Sequence, residues 1–139
     1  LRFDPHVQRR VLSGRAVDAA AYINLHNQRR VARRAMEEAM SNVDACAFPT
    51  NAIGSVPLSQ VDEYGTPLAL LGRFANLLNL CSVALPVGFD EQHMPVSMQI
   101  VGRAFAEPLV LRIAHAYQQV SDWHQQRPVG WDLPGRVVA

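Results

Sequence analysis

Three segments of the chain carry apolar residues every three or four positions, the spacing that places them on one face of an α-helix. The first covers residues 3–12, where Asp4 suits an N-cap and Pro5 suits the first helical turn, and Gly14 ends it. The second extends from Asp18 to about Met40, which at 1.5 Å per residue makes a helix about 35 Å long. Its apolar stripe is Tyr22, Leu25, Ala32, Met36 and Ala39. A helix of this length indicates packing against something larger.

The third segment begins at Glu107 and Pro108, where a helix start is favoured. Its predicted apolar face is Leu109, Ile113, Ala116, Tyr117 and Val120. Residues 68–80 are apolar with helical character and predict a buried, broken helix. Residues 51–67, rich in proline, glycine and polar residues, predict a long loop, and we expect the tail from Asp122 onward to lie over the surface.

Three shorter segments have the pattern of β-strands. Residues 44–48 form a short apolar run that Pro49 and Thr50 end. Residues 82–87 are almost continuously apolar, which predicts a strand covered on both faces. Residues 95–101 alternate between the two faces, and the link from 88 to 94 is too short for a parallel crossover. The last two strands are therefore predicted to be antiparallel, in an α/β fold.

The charges exclude several kinds of chemistry and partner. All 13 basic residues are arginine, so mechanisms that need a lysine amine on this chain are excluded. The net charge is +1, and no apolar run approaches the roughly 20 residues of a membrane helix, so neither nucleic acid nor membrane is an expected partner. An arginine cluster in the second helix is followed at i,i+4 by Glu37 and Glu38, which favours a solvated, self-paired helix face.

No combination of residues forms a recognisable active site. The five histidines fall in no paired metal motif, and the chain lacks both a nucleophile elbow around a serine and a glycine-rich phosphate loop. The two cysteines, Cys46 and Cys81, are predicted to be buried thiols in a reducing cytoplasm. We therefore predict no catalytic residue, no metal and no cofactor on this chain.

The order and spacing of several motifs resemble the C-terminal end of amidase-signature enzymes, which hydrolyse or transfer carboxamide nitrogen. The motifs are "FDPHVQRRVLSG", "AAAYINLHNQRRVAR", "VDACAFPTNA", and the segment that carries Pro95, Gln99, Gly102, Arg103 and Glu107. The resemblance implies that residues 1–139 are a C-terminal fragment of an amidase-signature domain. Its fold is then the C-terminal part of a mixed-sheet α/β structure, with helices packed on a few strands that include an antiparallel pair.

The resemblance also implies a reaction. The family cleaves a carboxamide C–N bond through an acyl-serine intermediate, with serines and a lysine that lie upstream of the region seen here. The complete enzyme is then expected to act on a small-molecule carboxamide, and the isolated chain to be inactive. Arg10 matches an arginine that contacts the substrate carboxylate in some members, so Arg10 is the one candidate substrate-binding residue.

Three positions depart from the family pattern. Asn79 and Cys81 stand where many members have Gly and Pro, and Ala69 stands where members serving tRNA-dependent amidotransferases carry Asp. The missing acid disfavours the alternative that the chain belongs to an amidotransferase A subunit. A second alternative is a free-standing, non-catalytic binding or assembly domain. The fragment hypothesis predicts an exposed apolar face and an open sheet edge, both of which favour self-association.

Overall fold

The computed structural model describes residues 4–62, 65 and 67–128. Within these residues the elements are α1 (Pro5–Ser13), α2 (Ala19–Ala39), β1 (Cys46–Pro49), α3 (Arg73–Leu78), β2 (Cys81–Phe89), β3 (Pro95–Gly102) and α4 (Glu107–Gln119). Short 3-10 turns cover Gly14–Ala16, Leu58–Gln60 and Trp123–Gln125. The predicted α/β class is confirmed. Residue 3 of the first predicted segment, part of the long loop and the end of the tail lie outside the described residues.

The first two helices begin where the sequence predicts. The Asp4 carboxylate accepts hydrogen bonds from the backbone N–H groups of His6 (2.9 Å) and Val7 (3.3 Å). The Asp18 carboxylate accepts one from the N–H of Ala21 (2.7 Å). Each carboxylate satisfies N–H groups that have no partner inside the helix, which fixes the start of α1 and α2.

The three strands form one antiparallel sheet in the order β1-β3-β2. Cross-strand partners such as Val83 and Ile100, or Cys46 and Val101, set the register. A register shift lies between Pro86 and Gly88. The predicted antiparallel pair is confirmed, and β1 adds a third strand on the other side of β3.

The core lies between one face of the sheet and α4. It consists of Cys81, Leu85, Ile100, Val110 and Ala114. The predicted inner face of α4 is therefore only partly right: Ile113 and Tyr117 pack against the core, but Val120 is 83% exposed. The buried residues Val110 and Ala114 lie four positions apart, so the face of α4 that meets the sheet is rotated from the predicted one.

The other face of the sheet is covered only in part. Phe48 on β1 contacts Phe74 of α3 edge to face, with ring centroids 5.4 Å apart. On β2, however, Ser82 and Ala84 are exposed. The prediction that this strand is covered on both faces is wrong for the described residues, because α3 does not cover Ser82 and Ala84. The predicted helix over residues 68–80 is also too long, since turns occupy residues 68–72 before α3 begins.

The two N-terminal helices present their apolar residues to the exterior. Neither α1 nor α2 contains a buried residue. Met40, directly after α2, is fully buried. Among the described residues, no helix has both the length and the apolar character that crossing a bilayer requires.

Candidate functional site

Arg10, the predicted substrate-binding residue, lies on the exposed surface of α1. Its carbonyl accepts a hydrogen bond from the Ser13 hydroxyl (2.7 Å), which tightens the last turn of the helix. No feature of the described structure tests whether its guanidinium binds a carboxylate, so this role stays a prediction.

Gln99 connects three parts of the fold. It lies on the central strand β3 and is 3% exposed. Its side-chain nitrogen donates hydrogen bonds to the carbonyls of Leu71 (2.8 Å) and Pro49 (3.2 Å). A buried amide must have such partners, because an unpaired polar group inside a protein costs about 1–3 kcal/mol. Gln99 therefore holds the turn before α3 against the end of β1.

Arg103 closes the C-terminal end of α2. Its guanidinium donates to the carbonyls of Met40 and Val43, the latter at 3.0 Å. The last carbonyls of a helix lack partners inside it and carry partial negative charge, so a cation at this place is favourable. Arg103 therefore ties the end of α2 to the end of β3.

Gly102 allows α4 to approach the sheet. A Cβ atom at this position would lie 2.6 Å from Val110 Cγ1 and 3.1 Å from Cys81 Sγ. Real Cβ atoms essentially never make a contact as short as the first of these, so any larger residue here would force Val110 or α4 to shift. Gln99 and Gly102, which carry part of the family resemblance on β3, thus support the scaffold.

The two departures at positions 79 and 81 have structural explanations. Asn79 ends α3 in the left-handed conformation, with φ 56° and ψ 43°, where glycine is the most favourable residue and asparagine is next. Its side-chain oxygen accepts a hydrogen bond from Arg29 of α2, which also donates to the Leu77 carbonyl. Asparagine here therefore replaces glycine with little backbone strain and gains a link to α2.

Cys81 is part of the core, and its thiol lies 3.1 Å from the Arg103 carbonyl, to which it donates. Both cysteines are free, Cys81 buried and Cys46 half-buried. No local pattern in the sequence indicates the side-chain contacts of Asn79 and Cys81, because they join residues that are 22 to 50 positions apart. Ala69, the third departure, has an exposed side chain in the turn before α3.

Among the concave surfaces that the described residues line, two lie beside the strands. A cavity of about 240 Å³ lies beside the end of β1, bounded by residues 49, 51–55 and 95–97. A larger cavity of about 490 Å³ lies at the β2–β3 turn, where the rings of Phe89 and Trp123 meet edge to face with centroids 5.9 Å apart.

The i,i+4 pairing of charges predicted on the second helix is confirmed for Arg33 and Glu37. Arg33 Nη2 and Glu37 Oε1 lie 3.5 Å apart on α2.

The described residues contain no group of three or more His, Cys, Asp and Glu side chains that could hold a metal ion. The whole sequence has no lysine. A serine activated by a lysine, as the resemblance implies for the complete enzyme, therefore cannot be formed by this chain alone.

Comparison with known proteins identifies close similarities over most of the chain. The A subunit of glutamyl-tRNA(Gln) amidotransferase from Nitrosococcus oceani is 33% identical over 137 residues, which are 93% of this chain and 28% of that protein. The protein of the same name from Acinetobacter baumannii strain AYE is 38% identical over 135 residues, 90% of this chain and 27% of that protein. The chain thus spans slightly more than a quarter of the length of these relatives.

Two solved structures share the fold of this chain over most of its length. A crystal structure of an amidase superposes with a TM-score of 0.74 at 25% identity, over 85% of this chain and 29% of that chain. The A subunit of glutamyl-tRNA(Gln) amidotransferase from Thermotoga maritima superposes with a TM-score of 0.65 at 30% identity, over 87% and 28%. The sequence profile of the family named Amidase matches residues 2–111. This chain therefore belongs to the amidase family.

Proposed function

We propose that the chain is the C-terminal part of a longer amidase-family enzyme that hydrolyses the C–N bond of a small carboxamide in the cytoplasm. The match to the Amidase family supports the reaction class. The absence of lysine and the short span relative to the curated relatives support the view that the nucleophile and its proton relay lie elsewhere in the polypeptide.

The observation that carries this proposal is the exposed apolar surface of α1 and α2. Val11 on α1 is 70% exposed, and Leu25 on α2 is 54% exposed. The middle and the C-terminal end of α2 are held to the rest of the fold, since Arg29 binds α3 and Arg103 binds the Met40 carbonyl at the helix end. A fixed, extended apolar surface is what one half of a core presents when its other half is missing. The remaining polypeptide of the enzyme is the proposed partner for this surface.

In the complete enzyme, a serine oxygen would attack the carboxamide carbon and form an acyl-serine as the nitrogen leaves with a proton. Water would then hydrolyse the acyl-serine, while backbone N–H groups stabilise the oxyanion. This chain would contribute the sheet, the core and part of the pocket wall. Arg10 would bind a carboxylate of the substrate, if the complete enzyme brings α1 to the pocket.

A second candidate is the A subunit of a tRNA-dependent amidotransferase, which acts with partner subunits and tRNA. The observation in its favour is that relatives named for the A subunit of glutamyl-tRNA(Gln) amidotransferase are 31–38% identical. Ala69 stands against it, because the resemblance implies an acidic residue at this position for the amino group of glutamine. Its exposed position in the turn before α3 leaves room to place an aspartate there as a test.

The experiment replaces the matching 135 residues of the Acinetobacter baumannii protein with this chain. Ammonia release is measured from glutamine and from small carboxamides that lack its amino group, with and without a carboxylate, for the chimera, the parent protein and the isolated chain. We expect no turnover by the isolated chain, and turnover of the carboxamides without an amino group in preference to glutamine by the chimera. Turnover by the isolated chain would contradict the fragment hypothesis. A chimera that prefers glutamine would favour the amidotransferase candidate, and the variant Ala69→Asp is then expected to increase glutamine use further.

A further inference from the structure

The cavity of about 490 Å³ at the β2–β3 turn lies between two segments that the fold holds in place. On one side is the turn itself, where the Asp90 carboxylate accepts hydrogen bonds from the backbone N–H groups of Gln92 (2.9 Å) and Met94 (2.8 Å). On the other side is the 3-10 turn Trp123–Gln125, whose tryptophan ring meets the ring of Phe89 on β2. Hydrogen bonds and ring packing therefore fix the shape of the cavity.

An irregularity in β2 borders the same cavity. The register with β3 shifts between Pro86 and Gly88, and a shift of this kind bends a strand and re-aims its side chains. Gly88 has a φ of 149°, which residues with a side chain rarely adopt, and a Cβ atom added there would meet no atom within 4 Å. Gly88 therefore keeps bare backbone in this part of the wall.

Large apolar side chains form most of the wall. Phe89 is 47% exposed, Met94 43% and Trp123 37%, and all three line the cavity. Single apolar residues are ordinary on a protein surface, but a concave apolar cluster of this size is typical of a ligand site. The two aromatic rings favour a ligand that also carries a ring, because stacked and edge-to-face ring pairs attract each other.

The polar side chains of the wall each carry at least one N–H donor, and they are His93, His124, Gln126 and Arg127. The guanidinium of Arg127 is a planar cation with five donors, and it forms no ion pair with another described residue. The Nδ1 atom of His124 is buried and has no hydrogen-bond partner within the described part of the chain. Buried polar atoms ordinarily have partners, so the hydrogen-bonding capacity of this wall is not used up by the fold.

Acidic residues close by in the sequence do not oppose these donors. Oδ1 of Asp90 accepts the two hydrogen bonds of the turn, and Oδ2 lies on the side of Gly54, 3.2 Å from where a Cβ atom would stand. Glu91 and Asp122 are not among the described residues that line the cavity. The cavity therefore combines a positive charge, several donors and aromatic rings without a carboxylate.

We propose that this cavity binds a small aromatic carboxylic acid, with its ring against Phe89 and Trp123 and its carboxylate paired with Arg127. A carboxylate supplies only hydrogen-bond acceptors, which matches a wall of donors, and arginine holds a carboxylate through two parallel hydrogen bonds. The volume of about 490 Å³ lies in the usual range of small-molecule pockets. The inference does not rest on the proposed amidase function, because it uses only residues of this chain.

The test is an NMR titration of the isotope-labelled 139-residue chain with 3-phenylpropionate, followed through the backbone amide signals. We expect saturable shifts confined to residues 88–95 and 123–127, with a Kd of about 1 mM, as is ordinary for a ligand of this size. Two further probes separate the parts of the ligand. 3-Phenylpropionamide keeps the shape and lacks the charge, whereas acetate keeps the charge and lacks the ring, and each should bind about tenfold more weakly.

The variant Arg127→Gln keeps hydrogen-bond donors and removes the charge. We expect it to raise the Kd of 3-phenylpropionate about tenfold and to leave the Kd of the amide unchanged, because only the acid pairs with the guanidinium. The matched control is Arg112→Gln, an exposed position on α4 that does not line the cavity. This control should change neither Kd.

Three results would overturn the proposal. The first is the absence of saturable shifts at the cavity, or their appearance on α1 and α2 instead, which would indicate adsorption to an exposed apolar surface. The second is equal affinity for the acid and the amide, or an Arg127→Gln variant that binds the acid as tightly as the Arg112→Gln control. The third is acetate that binds as tightly as 3-phenylpropionate, since the aromatic rings would then contribute nothing.

Discussion

Replacing Gly102 with alanine tests how closely α4 must approach the sheet. The new Cβ atom would meet Val110 Cγ1 at 2.6 Å, Cys81 Sγ at 3.1 Å and Ala106 Cβ at 3.5 Å. Val110 cannot simply rotate away, because valine in a helix has one strongly preferred rotamer and this residue is 2% exposed. The helix must shift instead, and overpacking of this kind costs about 1–3 kcal/mol.

The backbone of Gly102 contributes nothing to this cost. Among the described glycines, only Gly88 has a positive φ, so alanine at position 102 meets steric conflict without conformational strain. Gly14 is the matched control. Its backbone is right-handed helical, and an added Cβ has no atom within 4 Å. Gly14→Ala is expected to stabilise the chain by about 0.4–1 kcal/mol, because it restricts the unfolded state.

The assay is urea unfolding of the purified chain, followed by tryptophan fluorescence. Gly102→Ala should lower the urea midpoint at an unchanged slope. In a thermal scan it should lower Tm by roughly 4 °C for each kcal/mol of stability lost. The double variant Gly102→Ala with Val110→Ala removes the conflicting methyl groups. Its loss of unfolding free energy should therefore be smaller than the sum of the losses in the two single variants. Equal stabilities for Gly102→Ala and Gly14→Ala, or additive costs in the double variant, would refute the packing argument.

Three further changes test the contacts that hold the helices. Arg103→Ala leaves the carbonyls of Met40 and Val43 without this donor, so the free energy of unfolding in urea should fall by about 1–3 kcal/mol. The control Arg112→Ala, on the exposed side of α4, should change the free energy of unfolding by no more than about 0.5 kcal/mol. Asn79→Ala should lower the free energy of unfolding by about 1 kcal/mol or more, because alanine tolerates the left-handed conformation poorly. Asn79→Gly should lower it by less. A larger loss for glycine than for alanine would exclude the left-handed backbone as the reason for asparagine here. Leu25→Asp on the apolar surface of α2 should weaken self-association of the isolated chain in sedimentation experiments, and an unchanged sedimentation profile would exclude this surface as the contact.

Local signals in the sequence were sufficient for most of the secondary structure. Asp4 and Asp18 mark the two helix starts because an N-cap acts on N–H groups two or three residues away. The short link between β2 and β3 decides that these strands are antiparallel, because a parallel crossover needs more residues. The ordered set of motifs also sufficed for the family, which the profile match confirms.

Tertiary structure alone decided which surfaces are buried and what the unusual residues do. Asn79 and Cys81 depart from the family pattern, and only the fold shows that the Asn79 side chain binds Arg29 of α2 and that Cys81 packs in the core. The apolar run of β2 suggested burial on both faces, but only the packing of other elements on the sheet determines whether Ser82 and Ala84 are covered.

The physical reason is the range of the interactions involved. Capping, turn formation and strand pairing across a short link depend on residues within a few positions, so the sequence by itself determined them. Gln99 donates to the Pro49 carbonyl across 50 positions, and Arg103 donates to the Met40 carbonyl across 63. No local pattern encodes such contacts, so only the folded chain shows that Gln99 and Arg103 join its distant segments.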